Sequence, residues 1–408
     1  MKHNFSYFND ELFFRCWQKQ QSDRVHLKPL TANYQRPFYV YDRPTIQRQF
    51  ELMKDQISPV HLHYAMKANC HPEVLKCIQK LGGGVDTVSW GEIEQALKND
   101  FKPQDIVFSG VGKTVREIDQ ALQAGIHQFN VESFSELKRL NARCDVLVKK
   151  ANVVLRVNPN VSVDTHPYIA TGMKDNKFGI GFNELQPLIE FLKNNSSRLN
   201  FKGLSSHLGS QLLDFSGIQE ALTIQKNLFY DLKKQFPNMN RFDVGGGVGI
   251  LYENQDFDSE FEILKKYGQV VQKIIRGFSA DGMTDIEFQS EPGRFIVAHG
   301  GVLICQVQYI KKTEYKTFVV LDSGMNHLMR PSLYQAYHPI YPLLQRAGHQ
   351  VYDFVGPICE SSDFFAKNRP CNTLEEGDFV AVGCAGAYGS TMANRYNLHE
   401  MPDEVVLG

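Results

Sequence analysis

Apolar and polar positions along this chain fall into two rhythms. Short runs rich in β-branched and aromatic residues alternate with segments of helical length. The runs are VHLHYAM (60–66), GVDTVS (84–89), DIVFSG (105–110), QFNVES (128–133), NVVLRVN (152–158), GLSSHLG (203–209), RFDVGGG (241–247) and IEFQSEPG (286–293). Between them lie segments such as SWGEIEQALKND and SFSELKRLNARC. Each begins near a serine and repeats apolar residues at helical spacing, as a capped helix does. Eight such units, the early ones about 22–24 residues apart, predict a parallel (β/α)8 barrel over 44–297. An open doubly wound sheet is the competing arrangement, and eight successive units disfavour it. From about residue 300 the rhythm changes. GGVLICQVQYI, KTFVVLDSG, YDFVGPI and DFVAVGCAG follow one another with little helical sequence between. They predict a mostly antiparallel β domain over 298–408. RPFYVYD (36–42) reads as a strand preceding the barrel, so residues 1–43 are assigned to that domain as well.

Length and charge narrow the picture. At 408 residues the chain exceeds the usual size of a single core. Its 44 basic and 45 acidic residues leave a formal charge of −1, which argues against nucleic acid or an anionic membrane as the main partner. A hydrophobic content of 42% is ordinary for a soluble globular protein. Charges break every apolar run of the opening MKHNFSYFNDELFFRCW, so it does not read as a signal peptide. No apolar stretch is long enough to cross a bilayer. Eight cysteines without a Cys-x-x-Cys pair suit a reducing cytoplasm better than a disulfide framework or a zinc site.

In a parallel barrel, chemistry collects where strands end and βα-loops begin. The unusual residues fall there. Lys67 ends the first strand, and Asp86 and Ser89 end the second. His207, Gly209 and Ser210 end the sixth, Gly245, Gly246 and Gly247 the seventh, and Glu291, Gly293 and Arg294 the eighth. Each has a bland reading when taken alone. A strand-end lysine is usually a solvated cap, and the GGGVG run lacks the dinucleotide-binding spacing. Bare backbone N–H groups there still suit one phosphate. His61 and His63 share a face of the first strand, and they read as satisfied polar residues inside the barrel rather than metal ligands. One ligand needs a lysine, a phosphate cradle, an acid and a flat partner together: pyridoxal 5'-phosphate. Its aldehyde condenses with a lysine amine, its phosphate takes backbone N–H groups, and a carboxylate beside its ring nitrogen keeps the ring an electron sink.

The same residues carry a family resemblance over about 36–400. The motifs are YAMKAN (64–69), HPYIATGMKDNKFGI (166–180), SHLGSQ (206–211), DVGGGVGI (243–250), EPGR (291–294), DSGMNHLMRPSLYQAYHPI (322–340), GPICESSD (356–363) and GAYGSTMANRYN (386–397). In that order they resemble the fold-type III pyridoxal-phosphate decarboxylases, most of all the branch acting on a diamino dicarboxylic acid. The resemblance implies an alanine-racemase-like barrel and a β domain that completes the active site. It also implies a homodimer with shared sites. It assigns Lys67 to the cofactor aldehyde, Glu291 to the ring nitrogen and His207 to the ring face, with Asp86 nearby. Ser210, Gly245 to Gly247, Gly293 and Arg294 are assigned to the cofactor's phosphate and its surroundings, with Arg294 also close to substrate. Tyr388 reaches both cofactor and substrate. Arg330 and Tyr334 take the substrate's distal carboxylate and Glu360 its distal ammonium. Cys359 is the proton donor, delivered with Glu360 by the partner subunit. The chain departs from the commonest pattern at Trp90 and His327. Two rivals remain: a decarboxylase of ornithine, lysine or a carboxylated polyamine, and a non-catalytic homologue that binds partners. An arginine and a tyrosine four residues apart make little sense for the first. The joint presence of Lys67, Glu291 and Cys359 argues against the second.

Overall fold

The computed structural model describes residues 4–18, 20–163, 165–166, 176–253 and 257–408, with Gln21 described by its backbone alone. Residues 167–175, the greater part of the 166–180 motif, lie outside the described residues. The chain divides into two compact units. One comprises Phe50–Gly249 with Glu262–Arg294; the other comprises Met1–Gln49, Ile250–Phe261 and Phe295–Gly408.

The first unit holds the barrel. Its strands are His61–Ala65 (β1), Gly84–Thr87 (β2), Ile106–Phe108 (β3), Gln128–Val131 (β4), Ala151–Asn158 (β5), Leu199–Ser205 (β6), Arg241–Asp243 (β7) and Glu287–Ser290 (β8). Every neighbouring pair is parallel, and β8 pairs with β1 through Gln289 opposite His61, which closes the ring. The helices between them start where the sequence signals say. Ser89 accepts the Glu92 N–H ahead of Trp90–Lys98, and Ser133 accepts the Glu136 N–H ahead of Phe134–Leu147. Thr114 and Glu117 form a reciprocal capping box ahead of Val115–Ala124. Ser89, read from sequence as a rim group, is thus a helix cap. The sixth strand also differs from the sequence reading. It starts at Leu199 and stops at Ser205, so His207, Gly209 and Ser210 stand on the loop beyond it. The half-buried Asn200 and Lys202 interrupt the apolar pattern and hide the strand's first half.

The second unit is built on Gly301–Lys312, a long strand whose partners are Phe38–Asp42, Thr317–Leu321 and Phe379–Val382, all antiparallel. His349–Val355 runs parallel to Thr317–Leu321, and Asp403–Leu407 parallel to Phe38–Asp42, so the sheet is mixed and mostly antiparallel. A small antiparallel sheet, Phe5–Phe8, Glu11–Phe14 and Val25–His26, precedes it. Phe5, Leu12, Phe14 and Leu27 pack with Phe38, Val40, Val302, Ile304 and Leu343 in one core cluster. At about 25 cal/mol per Å2 of apolar surface, burying such side chains is the main force ordering this unit.

Candidate active site

At the barrel mouth the first strand passes into a single helical turn, Met66–Ala68, and Lys67 stands on it. Its ammonium lies 2.8 Å from Asp86 Oδ2; the lysine side chain is 39% exposed and the aspartate 1%. A lysine held this way is tied to a buried anion while part of its side chain stays exposed. Two further carboxyl groups share the mouth with Asp86. Asp243, at the end of β7, accepts the Gly245 N–H at 2.7 Å, yet burial pushes its carboxyl up to about 6, and the negative Asp86 adds to the shift. Burial and the charges of Asp243 and Asp86 push the Glu291 carboxyl well above the usual range. Near neutral pH this cluster therefore holds at least one proton. Asn130 fixes Glu291, its amide donating to Oε1 at 2.9 Å and to Ser109 Oγ at 2.9 Å. The buried Lys113 in turn donates to the Asn130 carbonyl at 2.8 Å.

His207 accepts the Gly246 N–H through Nδ1 at 3.3 Å. Burial, with the positive Arg156 and Lys67, lowers its basicity far below the ordinary value, so the ring is neutral and carries its proton on Nε2. Arg294 donates to Ser210 Oγ from Nη2 at 3.0 Å and from Nε at 3.3 Å. The glycine run packs between these loops with no room for side chains. A Cβ on Gly246 would stand 2.2 Å from the Glu291 carbonyl, and one on Gly247, at φ +102°, 2.3 Å from that of Gly209. Gly293 lets the eighth-strand loop lie against Ala65 and Ala68, beside Lys67. Cations, hydroxyl and bare backbone fit a phosphate. A raised carboxyl fits a basic ring nitrogen that brings its own positive charge, and a neutral imidazole fits a flat ring. These residues of the barrel unit therefore match a pyridoxal phosphate.

At the far end of the barrel His63 is buried, with its ring against those of His61 and His127. Among the described residues its Nδ1 has no hydrogen-bond partner, so the expectation of fully satisfied contacts fails there at that atom. The neighbouring imidazoles offer packing, and burial holds the ring neutral.

The remaining candidates lie in the β-rich unit. Arg330 and Tyr334 bound a five-residue helix and share one of its faces. Arg330 is 4% exposed, with its guanidinium 5.0 Å from the centre of the Tyr252 ring and Nη1 2.8 Å from His338 Nε2. Cys359 is exposed, and its backbone N–H donates to Asn397 Oδ1 at 3.3 Å. Glu360 accepts from the Tyr396 hydroxyl and, at 3.1 Å, from Ser362. Asp363 pins this turn by accepting from Ile358 N at 2.7 Å and Met325 N at 2.6 Å. Tyr388 sits at φ +57° between Gly386 and Gly389. His327, one of the two departures from the family pattern, is a buried strut; its Nε2 meets the Glu400 carbonyl at 2.9 Å.

The sequence reading brought Lys67, Asp86, His207, Ser210, Gly245 to Gly247, Glu291, Gly293 and Arg294 to one barrel mouth, and there they stand. It missed Asn130, Asp243 and Asp363. Asn130 is one of two buried amides, with Gln128, in the strand run QFNVES, and Asp243 a lone acid before the glycines; a polar residue buried in a short strand was the available signal.

A barrel with a lysine-centred, phosphate-accepting mouth is that of an enzyme working through a covalently held cofactor. Residues 43–298 match the family described as pyridoxal-dependent decarboxylase, pyridoxal binding domain. The diaminopimelate decarboxylase of Vibrio cholerae is 40% identical over 404 residues, covering 98% of this chain and 93% of that protein. Among solved structures, diaminopimelate decarboxylase from Helicobacter pylori complexed with L-lysine is 41% identical with a TM-score of 0.87, covering 93% of this chain and 94% of that one. The M. jannaschii enzyme in co-complex with L-lysine is 31% identical with a TM-score of 0.89, covering 100% and 93%. The chain belongs to the pyridoxal-dependent decarboxylases. Its cofactor is pyridoxal 5'-phosphate.

Proposed function

We propose that the chain converts meso-diaminopimelate to L-lysine and carbon dioxide, the last step of lysine biosynthesis. The observation that carries this is Arg330, a buried guanidinium one helical turn from Tyr334. A simple diamine precursor gives such a pair nothing to hold, whereas a second carboxylate takes a planar guanidinium through two hydrogen bonds. The relatives' names and the lysine in their structures support the same reading.

In this reading Lys67 anchors the cofactor, and Asp86 holds its ammonium whenever the anchor is released. Ser210, Arg294 and the glycine loop Gly245 to Gly247 would hold the phosphate, with the Gly245 and Gly246 N–H groups engaged by Asp243 and His207. His207 packs on the ring, and Glu291, oriented by Asn130, shares a proton with the ring nitrogen. When bound, the cofactor supplies the electron sink for the pair left by the departing carboxylate. Tyr388 and Arg294 orient the reacting end of the substrate. Arg330 and Tyr334 hold the distal carboxylate, and Glu360 the distal ammonium. Cys359 gives a proton to the carbon that lost its carboxylate. We assign Cys359 and Glu360 to the partner subunit of a homodimer, on the resemblance at GPICESSD. Residues 44–297 then form the cofactor module and the rest the module that completes the site. A cytoplasmic location suits eight free cysteines, one of them needed as a thiol.

The test is kcat/KM for diaminopimelate and for lysine in wild type and Arg330→Ala. Removing one partner of a desolvated charge pair costs about 2–5 kcal/mol, so diaminopimelate efficiency should fall about 30-fold or more. The already low rate on lysine should fall far less. Equal losses on both substrates, or a wild type that prefers lysine, reject the reading.

A further inference from the structure

Arg330 does not stand alone in its unit. Its helix ends at Gln335, in the left-handed region at φ +51°, and the chain turns back. Four residues after Tyr334 it delivers His338, just before the short strand Ile340–Pro342, which pairs with Phe379–Val382. Pairing fixes the backbone there, and Arg369 Nη1 donates to the His338 carbonyl at 3.0 Å. The His338 ring is fully buried. Its Nε2 meets Arg330 Nη1 at 2.8 Å and its Nδ1 meets the Gly383 carbonyl at 2.9 Å. Its edge also contacts Tyr252, with ring centres 5.3 Å apart and an interplanar angle of 72°. Tyr252 is the ring that Arg330 covers.

These two hydrogen bonds fix the proton on the imidazole. A guanidinium only donates, so Nε2 presents its lone pair. A carbonyl only accepts, so the proton is on Nδ1. His338 is therefore held as one neutral tautomer. It aims one N–H group of Arg330 without neutralising its charge. A carboxylate in that position would quench the cation, whereas a neutral acceptor orients it without cancelling its charge. The same ring ties Arg330 to Gly383, at the root of the segment that carries Tyr388.

We propose that His338 is a positioning residue for substrate specificity: it aims the Arg330 guanidinium at the distal carboxylate. The proposal rests on the reading of Arg330 given above. Decarboxylation removes one carboxylate, so the one that lysine keeps is the distal one. Cadaverine is lysine without it. The two compounds, as competitive inhibitors of the holoenzyme against diaminopimelate, thus report the distal-carboxylate contact by difference.

Two substitutions separate the functions of the ring. In His338→Asn the amide reaches the Nδ1 position and the Gly383 carbonyl but stops short of Arg330. In His338→Gln the longer side chain carries an acceptor to the Nε2 position. The expected result is an inhibition constant for lysine raised about tenfold in His338→Asn, with that for cadaverine within about twofold of wild type. His338→Gln should bring the lysine value back towards wild type. Wild-type values for lysine in both variants would overturn the proposal. So would parallel weakening of lysine and cadaverine, which is what a merely structural role produces. Arg330→Ala is the control. If it removes the lysine–cadaverine difference while His338→Asn does not, His338 is wrong and the Arg330 reading stands. If Arg330→Ala leaves the difference intact, that reading falls and this proposal with it.

Discussion

At the scale of single residues, the barrel mouth is organised by charge. Lys67 pairs there with the buried Asp86 while its own side chain stays partly exposed. Lys67→Ala removes an anchor and little packing. It should abolish carbon dioxide release and the visible absorbance of bound cofactor while leaving the circular dichroism spectrum and thermal midpoint near wild type. Activity equal to wild type would sink the cofactor assignment. Asp243 gives a pH signature. Its folded-state carboxyl titrates near 6 against an ordinary value of 3.8. Between those values the folded protein holds a proton that the unfolded chain has lost, so raising the pH favours unfolding. The contribution is at most about 3 kcal/mol. In the cofactor-free protein, the thermal midpoint of Asp243→Asn minus that of wild type should therefore increase from pH 4 to pH 7. A difference that stays flat or shrinks would show that the native carboxyl is not held protonated.

At the scale of elements, the strand ends act because backbone comes close to backbone. Gly246→Ala would put a methyl 2.2 Å from the Glu291 carbonyl, so either the loop after β7 or the loop after β8 must move. The cost should be about 2 kcal/mol or more of stability, together with weaker cofactor retention. Denaturant midpoints and the visible absorbance check this, and an unperturbed variant on both counts would contradict the close approach. The strand–helix rhythm and most strand ends were legible because buried parallel strands and capped helices leave strong local signals. β6 was read four residues late because its first half alternates with polar residues. The N-terminal hairpin was overlooked altogether. Its signal was present in FSYF-ND-ELFF, where Asn9 and Asp10 both take positive φ, as a tight two-residue hairpin turn needs. The parallel pairing of Thr317–Leu321 with His349–Val355 had no local signal, since it depends on which strand edges meet. Among site residues, those to which the family resemblance gives a role were legible. Asn130 acts on Glu291, distant in sequence, and Asp243 and Asp363 act on backbone N–H groups whose placement emerges only once the chain is folded.

At the scale of the whole molecule, the proposed site draws on two chains. Lys67 and Cys359 are proposed to meet across a twofold interface, so each mixed dimer of Lys67→Ala and Cys359→Ala contains one site with both native residues. Random reassortment should restore about a quarter of wild-type activity. Mixed dimers without recovered activity would refute the shared site. The central claim, that the chain removes one carboxylate from a diamino dicarboxylic acid, is tested most directly by carbon dioxide release. The purified holoenzyme should be given diaminopimelate, lysine and ornithine in parallel. Release is expected from diaminopimelate with lysine formed in equal amount, and kcat/KM for the other two lower by at least about 100-fold, as a site built for a charged group gives when offered a substrate without it. Comparable efficiency on lysine or ornithine, or no release from diaminopimelate by protein carrying its cofactor, would contradict that claim.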